Sequence, residues 1–307
     1  MKALVGYSGF VGSNILAHGD FGPADGLYDI NNIKDSFGTK PDLLYYSGVP
    51  AQKFIADRDP AADLEIILDA AENIRKISPK EIVLISTVDV YKDTAGFSES
   101  SYMAPSSKDG YGANRLYLEQ LVADMGIPYH IVRLPGLFGE NIKKNFIYDF
   151  INFIPALLAP AKMEELSGKE PSLKNYYAIA PNGFWRVKEG ADRPALKEIF
   201  KRVGFSALNF TDSRSVYQYY NLANLYKDIQ IVLKNDLKVM NLMTQPVSTD
   251  YLYSYLTGKK FVNHILDKPL NYDIRTDYAP LFGGKDGYIA TRDSVCKEIK
   301  GFVESKV

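Results

Sequence analysis

Three glycines stand three apart at the amino end of the chain, in Gly6-Tyr7-Ser8-Gly9-Phe10-Val11-Gly12. Here the apolar run Ala3–Tyr7 gives way to a helical pattern over Val11–Ala17. In such a turn each glycine has a separate task. Gly6 permits the sharp exit from the strand, Gly9 lets the backbone come close to a pyrophosphate, and Gly12 lets the following helix pack on the sheet. The unpaired amides at the helix start, together with the helix dipole, favour an anionic diphosphate. The expected ligand is therefore a dinucleotide. Asp29 follows Gly12 by 17 residues, near the offset at which a carboxylate accepts the adenosine ribose hydroxyls. A carboxylate there repels a 2′-phosphate and favours NAD over NADP. Asn31 and Asn32 are alternatives for the same place, so NADP stays open.

A second set of residues could move a proton. Hydride transfer at a carbinol carbon needs an acid/base for the hydroxyl, and a tyrosine serves if a cation stabilises its phenolate. Tyr111 and Arg115 are four apart in a helical pattern, hence on one face. Thr87 ends the apolar strand pattern EIVLIS, where a hydroxyl can hold the reacting oxygen. Arginine retains the positive charge but does not release a proton. Two readings follow: electrostatic activation suffices, or the chain binds a nucleotide with weak or no turnover. No other tyrosine repairs the motif, since Tyr91 has Ala95 four residues on and Tyr102 has Ser106.

These residues need a scaffold, and the first 140 residues supply its pattern. Short apolar runs at Ala3–Tyr7, Gly26–Asp29, Asp42–Tyr46, Glu81–Ser86 and Tyr129–Arg133 alternate with helical stretches at Val11–Ala17, Pro60–Lys76 and Tyr111–Met125. Asp59 is placed to cap the second helix, with Pro60 at its first position. Alternation of this kind predicts a parallel sheet with helices on both faces. The expected fold is α/β, a Rossmann-type doubly wound sheet with a smaller mixed carboxyl-terminal lobe. Residues 1–140 would form the dinucleotide-binding domain and 141–307 mainly the substrate lobe, with a segment at about 205–235 returning to the first domain. Leu157–Gly190, rich in Pro, Gly and Tyr, reads as long loops. Helices are expected at Ala195–Val203, Leu222–Lys234, Ser248–Leu256 and Ser294–Val303, with a strand at Lys238–Leu242.

Composition narrows the function classes. The chain has 307 residues, with 36 Lys+Arg against 37 Asp+Glu. A net charge near −1 gives no reason to expect nucleic acid as a partner. The lone Cys296 forbids an intrachain disulfide and suits a reducing, cytoplasmic setting. His18, His130 and His264 are far apart in sequence, so no metal site is expected. The apolar start reads as the first strand and turn rather than a leader, and no run of 18 apolar residues suggests a membrane span.

The segments STVDVY (86–91), YGANR (111–115), RLPGLFG (133–139), KKNF (143–146), SVYQYYNLANL (215–225) and MNLMTQPVS (240–248), with the glycine turn, resemble the extended short-chain dehydrogenase/reductases. The resemblance is to the NAD-dependent epimerases and dehydratases of nucleotide sugars, and it spans most of the chain. It implies that Thr87 positions the substrate oxygen and that Tyr111 is the acid/base. The family's usual lysine is replaced by Arg115, which would still contact the nicotinamide ribose. Phe10, Val11, Ser47, Leu134 and Pro135 complete the expected dinucleotide contacts. The substrate diphosphate would be gripped by Asn145, Arg214 and Arg275. Dehydratases of the family carry an acidic pair directly after the threonine, where this chain has Val88-Asp89. Elimination is thereby disfavoured, with Asp89 a substrate neighbour or turn residue. What remains is keto reduction or 4-epimerisation of a nucleotide-linked sugar, in a homodimer.

Overall fold

The structure is a computed structural model that describes residues 1–101 and 110–306. Its contacts divide the chain into two compact units. Unit 1 is Met1–Ile142, Val216–Val247 and Leu270–Ile299; unit 2 is Lys143–Ser215, Ser248–Pro269 and Lys300–Val307. The return to unit 1 thus begins and ends later than the 205–235 segment expected from the sequence, and a second returning segment follows it.

Unit 1 opens with β1 (Lys2–Val5), α1 (Phe10–His18), β2 (Gly26–Tyr28), β3 (Leu43–Tyr46), α2 (Lys53–Arg58) and α3 (Pro60–Ile77). It continues through β4 (Ile82–Thr87), α4 (Gly110–Ala123), β5 (Tyr129–Leu134) and β6 (Gly136–Phe138). Unit 2 contributes α5 (Phe146–Asn152), β7 (Leu157–Leu158), α6 (Pro160–Lys169), β8 (Tyr177–Ile179), β9 (Trp185–Val187) and α7 (Arg193–Val203). Back in unit 1 come β10 (Val216–Tyr217), β11 (Tyr219–Asn221), α8 (Leu225–Lys234) and β12 (Val239–Asn241). The last helices are α9 (Thr249–Thr257), in unit 2, and α10 (Arg292–Glu304).

The six-stranded sheet of unit 1 has the order β12-β5-β4-β3-β1-β2, every pair parallel. All strand carboxyl ends therefore lie along one edge. The order reverses between β1 and β3, so the chain leaves these two strands in opposite directions and opens a crevice there, the usual ligand position in such sheets. Only the three-residue β2 stands outside β1, giving an α/β Rossmann-type sheet with a short flank. The strands read as continuous apolar runs because both faces are covered. Ile67, Ala71, Ile74 and Ile77 of α3 and Leu118 and Val122 of α4 pack with Leu44, Ile82 and Leu84 on one side. Ile15 of α1 and Ile229 and Val232 of α8 pack with Leu4, Tyr45 and Val83 on the other. Each such buried side chain contributes about 1.5–3 kcal/mol relative to exposure. As its sequence suggests, α3 is capped by Asp59, whose Oδ1 accepts from the Ala62 amide at 3.1 Å.

Unit 2 corrects the reading of 157–190 as loops. Leu158, Met163, Leu166, Leu173, Tyr177, Leu196, Ile199 and Phe200 form a core of their own. They are carried by α6, α7 and a small antiparallel sheet of order β7-β9-β8. Strands of two or three residues are too short to show a period, and Pro160 marks a helix start rather than a break. Ser248 does precede α9, but its hydroxyl donates to Asp250 rather than capping the helix.

Candidate active site

The glycine turn is fixed by backbone sterics. Gly6 has φ +86°, and its amide donates to the Tyr28 carbonyl at 2.7 Å, tying the turn to β2. A Cβ on Gly6 would stand 2.6 Å from the Ser47 carbonyl oxygen, while one on Gly12 would collide with the Gly6 carbonyl. Gly9 differs. An added Cβ there meets only the Gly6 oxygen, at 3.2 Å, so the turn is open to an approaching group in front of Gly9. Helix α1 begins at this point with no side-chain cap and no acidic residue in its first turn. The amides of Phe10, Val11 and Gly12 precede the first possible intrahelical acceptor and face an uncompensated dipole end. An open glycine before an uncapped helix fits a dinucleotide diphosphate.

The neighbouring strand ends complete the crevice. Ser47, just past β3, donates its hydroxyl to the Val5 carbonyl at 2.9 Å and so bridges β1 and β3 at the switch point. Asp29 follows β2. Its Oδ2 accepts from the Ser8 hydroxyl at 2.8 Å and its Oδ1 from the Asn31 amide at 2.9 Å. The Asn31 amide, followed by Ser8, lowers the Asp29 pKa and keeps the carboxylate ionised. The competing Asn32 is a turn residue: its Oδ1 receives the Asp29 amide, and its Nδ2 donates to the Leu27 carbonyl. Ser8 connects the turn to Asp29, a function not evident from a GxxGxxG pattern.

Along the same edge, β4 and β5 bring Thr87 opposite Leu134, with Pro135 next. The Thr87 hydroxyl oxygen accepts from the Asp89 amide at 3.2 Å in the turn that follows β4. Asp89 is a junction rather than a plain turn residue. Its Oδ1 lies 3.3 Å from the Lys53 ammonium and accepts from the Tyr272 hydroxyl at 3.2 Å. Tyr111, in the first turn of α4, is 7 % exposed, and its amide donates to Asp57 Oδ1 of α2 at 2.9 Å. Burial raises the Tyr111 phenol above its ordinary value; Arg115 and then Lys53 pull it back, opposed by Asp89 and Asp63.

Arg115 is tied to the scaffold on two sides. Its guanidinium pairs with Asp63 of α3 and donates to the Pro50 carbonyl at 2.6 Å. Its centre lies 4.1 Å from the Tyr111 ring centroid. Both partners of the ion pair are nearly excluded from solvent. The cation therefore acts on the phenol through space, while its hydrogen bonds serve the scaffold. Glu119, four residues on in the same helix, is not the partner of Arg115. Instead Glu119 binds Arg133 of β5, with Nη2 to Oε2 at 2.6 Å, and receives the Ser86 hydroxyl. Arg133 continues to the Tyr91 hydroxyl at 2.8 Å, and Tyr91 to Asn241. Tyr91 belongs to this buried polar chain; Tyr102 and Ser106 lie outside the described residues.

The expected diphosphate ligands fall in both units. In unit 1, Arg275 is exposed, 3.6 Å from Asp273, and over the Tyr288 ring. In unit 2, Arg214 makes a fork to Asp212, with Nε to Oδ1 at 3.0 Å and Nη2 to Oδ2 at 2.7 Å, and also donates to the Leu266 carbonyl. Asn145, at φ +91°, caps α5 through its Oδ1, which accepts from the amides of Ile147 and Tyr148. His130 is a satisfied core residue, between the Leu237 carbonyl at 2.8 Å and Glu81 at 2.9 Å. No helix among the described residues is long and apolar enough to cross a membrane.

A parallel sheet with a switch-point crevice and an open glycine turn before an uncapped helix defines the Rossmann class of nucleotide-binding folds. Within that class the model of the NAD dependent epimerase/dehydratase family matches residues 26–173. No curated protein matches the sequence. Among solved structures, RMD from Pseudomonas aeruginosa complexed with NADPH superposes with a TM-score of 0.63 at 17 % identity, covering 100 % of this chain and 99 % of that one. A dTDP-4-dehydrorhamnose reductase from Clostridium acetobutylicum gives 0.62 at 15 %, over 99 % and 100 %. UDP-glucose 4-epimerase from Thermotoga maritima, solved with UDP-glucose, gives 0.58 at 15 %, over 99 % and 98 %. At such identities the likeness is one of fold.

Proposed function

We propose that the chain is an NAD(P)-dependent oxidoreductase or epimerase acting on a nucleotide-linked sugar, by keto reduction or 4-epimerisation. The observation that carries this reading is the alignment, along one edge of one sheet, of the open glycine turn, Thr87 at the end of β4 and Tyr111 at the start of α4. The diphosphate would rest on the turn around Gly9, with Asp29 on the adenosine ribose and Ser47, Leu134 and Pro135 lining the way to the nicotinamide. When bound, the nicotinamide supplies or takes the hydride. Thr87 and Tyr111 hold the sugar oxygen between two hydroxyls, and Tyr111 exchanges the proton. Asn145, Arg214 and Arg275 are the proposed contacts to the sugar nucleotide. Arg214 already spends its fork on Asp212, so it would offer its outer edge only.

Native mass spectrometry of the purified protein, followed by titration with NADH and NADPH, tests the cofactor. Failure to bind either removes the reading. Tyr111→Phe is expected to abolish turnover of a nucleotide-linked keto sugar while cofactor affinity stays within about threefold; unchanged turnover removes Tyr111 from its role. The burial of Arg115 against Asp63 favours a second reading, a nucleotide-binding protein with little turnover. Arg115→Lys separates the two: turnover rises in a lapsed enzyme and falls in one adapted to arginine. A homodimer is also proposed. The exposed Ile66 and Leu68 of α3 and Tyr117 of α4 offer apolar surface for it, and light scattering of the eluted protein decides.

A further inference from the structure

We infer that the two tasks a single lysine would perform beside the tyrosine are divided here. Arg115 supplies the fixed charge under the Tyr111 ring, and Lys53 of α2 is the positioning residue that returns a proton to the Tyr111 phenolate. This rests on the oxidoreductase reading given above.

Geometry carries the inference. Arg115 is tied to Asp63 and the Pro50 carbonyl, and a guanidinium does not release a proton at working pH. Lys53 follows three residues after the Pro50 that Arg115 holds, and precedes by four the Asp57 whose carboxylate receives the Tyr111 amide at 2.9 Å. The short segment bearing Lys53 is thus fastened on both sides to the helix that carries Tyr111. A third tie is the Lys53 ammonium 3.3 Å from Asp89 Oδ1, two residues beyond Thr87, with the Tyr272 hydroxyl on the same oxygen. The side chain of Lys53 is 42 % exposed, so its ammonium can exchange protons with water. The charges acting on the Tyr111 phenol are Arg115, Lys53, Asp89 and Asp63. Of these, Lys53 alone combines a proton to give with a path to solvent.

The proton accounting closes. In the reductive direction Tyr111 Oη gives its proton to the sugar oxygen as the hydride arrives at carbon. Lys53 Nζ then gives a proton to the phenolate and becomes a neutral amine. Water at its exposed face restores the ammonium. Each turnover consumes one hydride and one solvent proton. Asp89 anchors Nζ two residues beyond Thr87.

The test uses the whole 307-residue chain, two substitutions of Lys53, and Tyr111→Phe as a reference. Tyr111 ionisation is followed by NMR of cofactor-free protein labelled at tyrosine Cζ, the Tyr111 signal being assigned by its loss in Tyr111→Phe. Lys53→Met is expected to raise the Tyr111 midpoint by about half a pH unit or more, and Lys53→Arg to leave it near the wild-type value. In turnover, both substitutions are expected to lower kcat tenfold or more, with KM and NADH affinity within threefold and the alkaline limb of the kcat profile displaced. An unmoved Tyr111 midpoint in Lys53→Met overturns the inference, and so does full turnover in Lys53→Arg. Loss of the oxidoreductase reading is seen separately, as turnover untouched by Tyr111→Phe, while the NMR titration still judges Lys53 by itself.

Discussion

The glycine turn and the tyrosine helix border the same sheet edge, yet they are made of different things. The turn is a steric construction: Gly6, Gly12 and Ser47 crowd one another until only hydrogen atoms fit, and nothing in it carries charge. The tyrosine helix is an electrostatic construction. Burial raises the Tyr111 phenol, and the charges of Arg115, Asp89, Lys53 and Asp63 modulate it. A steric site tolerates little exchange of residue. An electrostatic one can be rebuilt with other residues, provided that charge and proton supply are preserved. On the function proposed above, this is how Tyr111 would work with an arginine four residues on.

Four substitutions press on this contrast. The largest effect is expected from Asp63→Ala, which leaves the Arg115 guanidinium buried and unpaired. Breaking such a pair costs about 3–5 kcal/mol, read as a lower urea midpoint. Asp63→Leu with Arg115→Met should recover most of that stability, because the charges then leave together; a double variant as weak as the single one would refute the electrostatic account. Next is Gly12→Ala. Its methyl has no room against the Gly6 carbonyl, and a loss of about 1–3 kcal/mol with impaired NADH binding is expected in thermal melts and titrations.

Unit 2 offers the opposite case, a carboxylate buried without compensation. Burial pushes Asp149 of α5 up to about 7, and no ion pair to it is seen among the described residues. The folded state therefore keeps this proton up to about pH 7, whereas the unfolded chain releases it near pH 4. Between those values the folded state binds more protons, so the contribution of Asp149 is full below about pH 4 and is lost as pH rises through 7. Asp149→Asn mimics the neutral form. It should stabilise the protein at pH 8 by up to about 4 kcal/mol and leave melting at pH 4 unchanged. Equal gains at both pH values would assign the effect to packing. The smallest effect is expected at Gly9→Ala. The added methyl meets only the Gly6 oxygen, at 3.2 Å, so the loss of stability should be small while NADH affinity falls about tenfold, or 1.4 kcal/mol.

The steric half of the site was legible because backbone rules are local. Three glycines after a short strand, Asp29 at the right offset, and an Asp59-Pro60 helix start all report on a few adjacent residues. Asp29 needed only its tertiary helper, Ser8, to be added. Unit 2 was less legible, since its strands are too short for a period and its core residues are spread over α6, α7 and the small sheet. The electrostatic half was partly hidden. Arg115 and Glu119 look like partners on one helix, but each is claimed by a residue distant in sequence, Asp63 and Arg133.

The sequence by itself determined an α/β chain with a dinucleotide turn, a threonine at a strand end and a tyrosine–arginine pair on one helical face. Spacing along the backbone is enough to fix which residues share a turn or a face. Only the tertiary structure decided that Arg115 bonds to Asp63 and Pro50 and that Asp89 joins Lys53 of α2 to Tyr272. Buried charges pair with whatever opposite charge the packed core brings near. That choice depends on distances across the fold and not on separation along the chain.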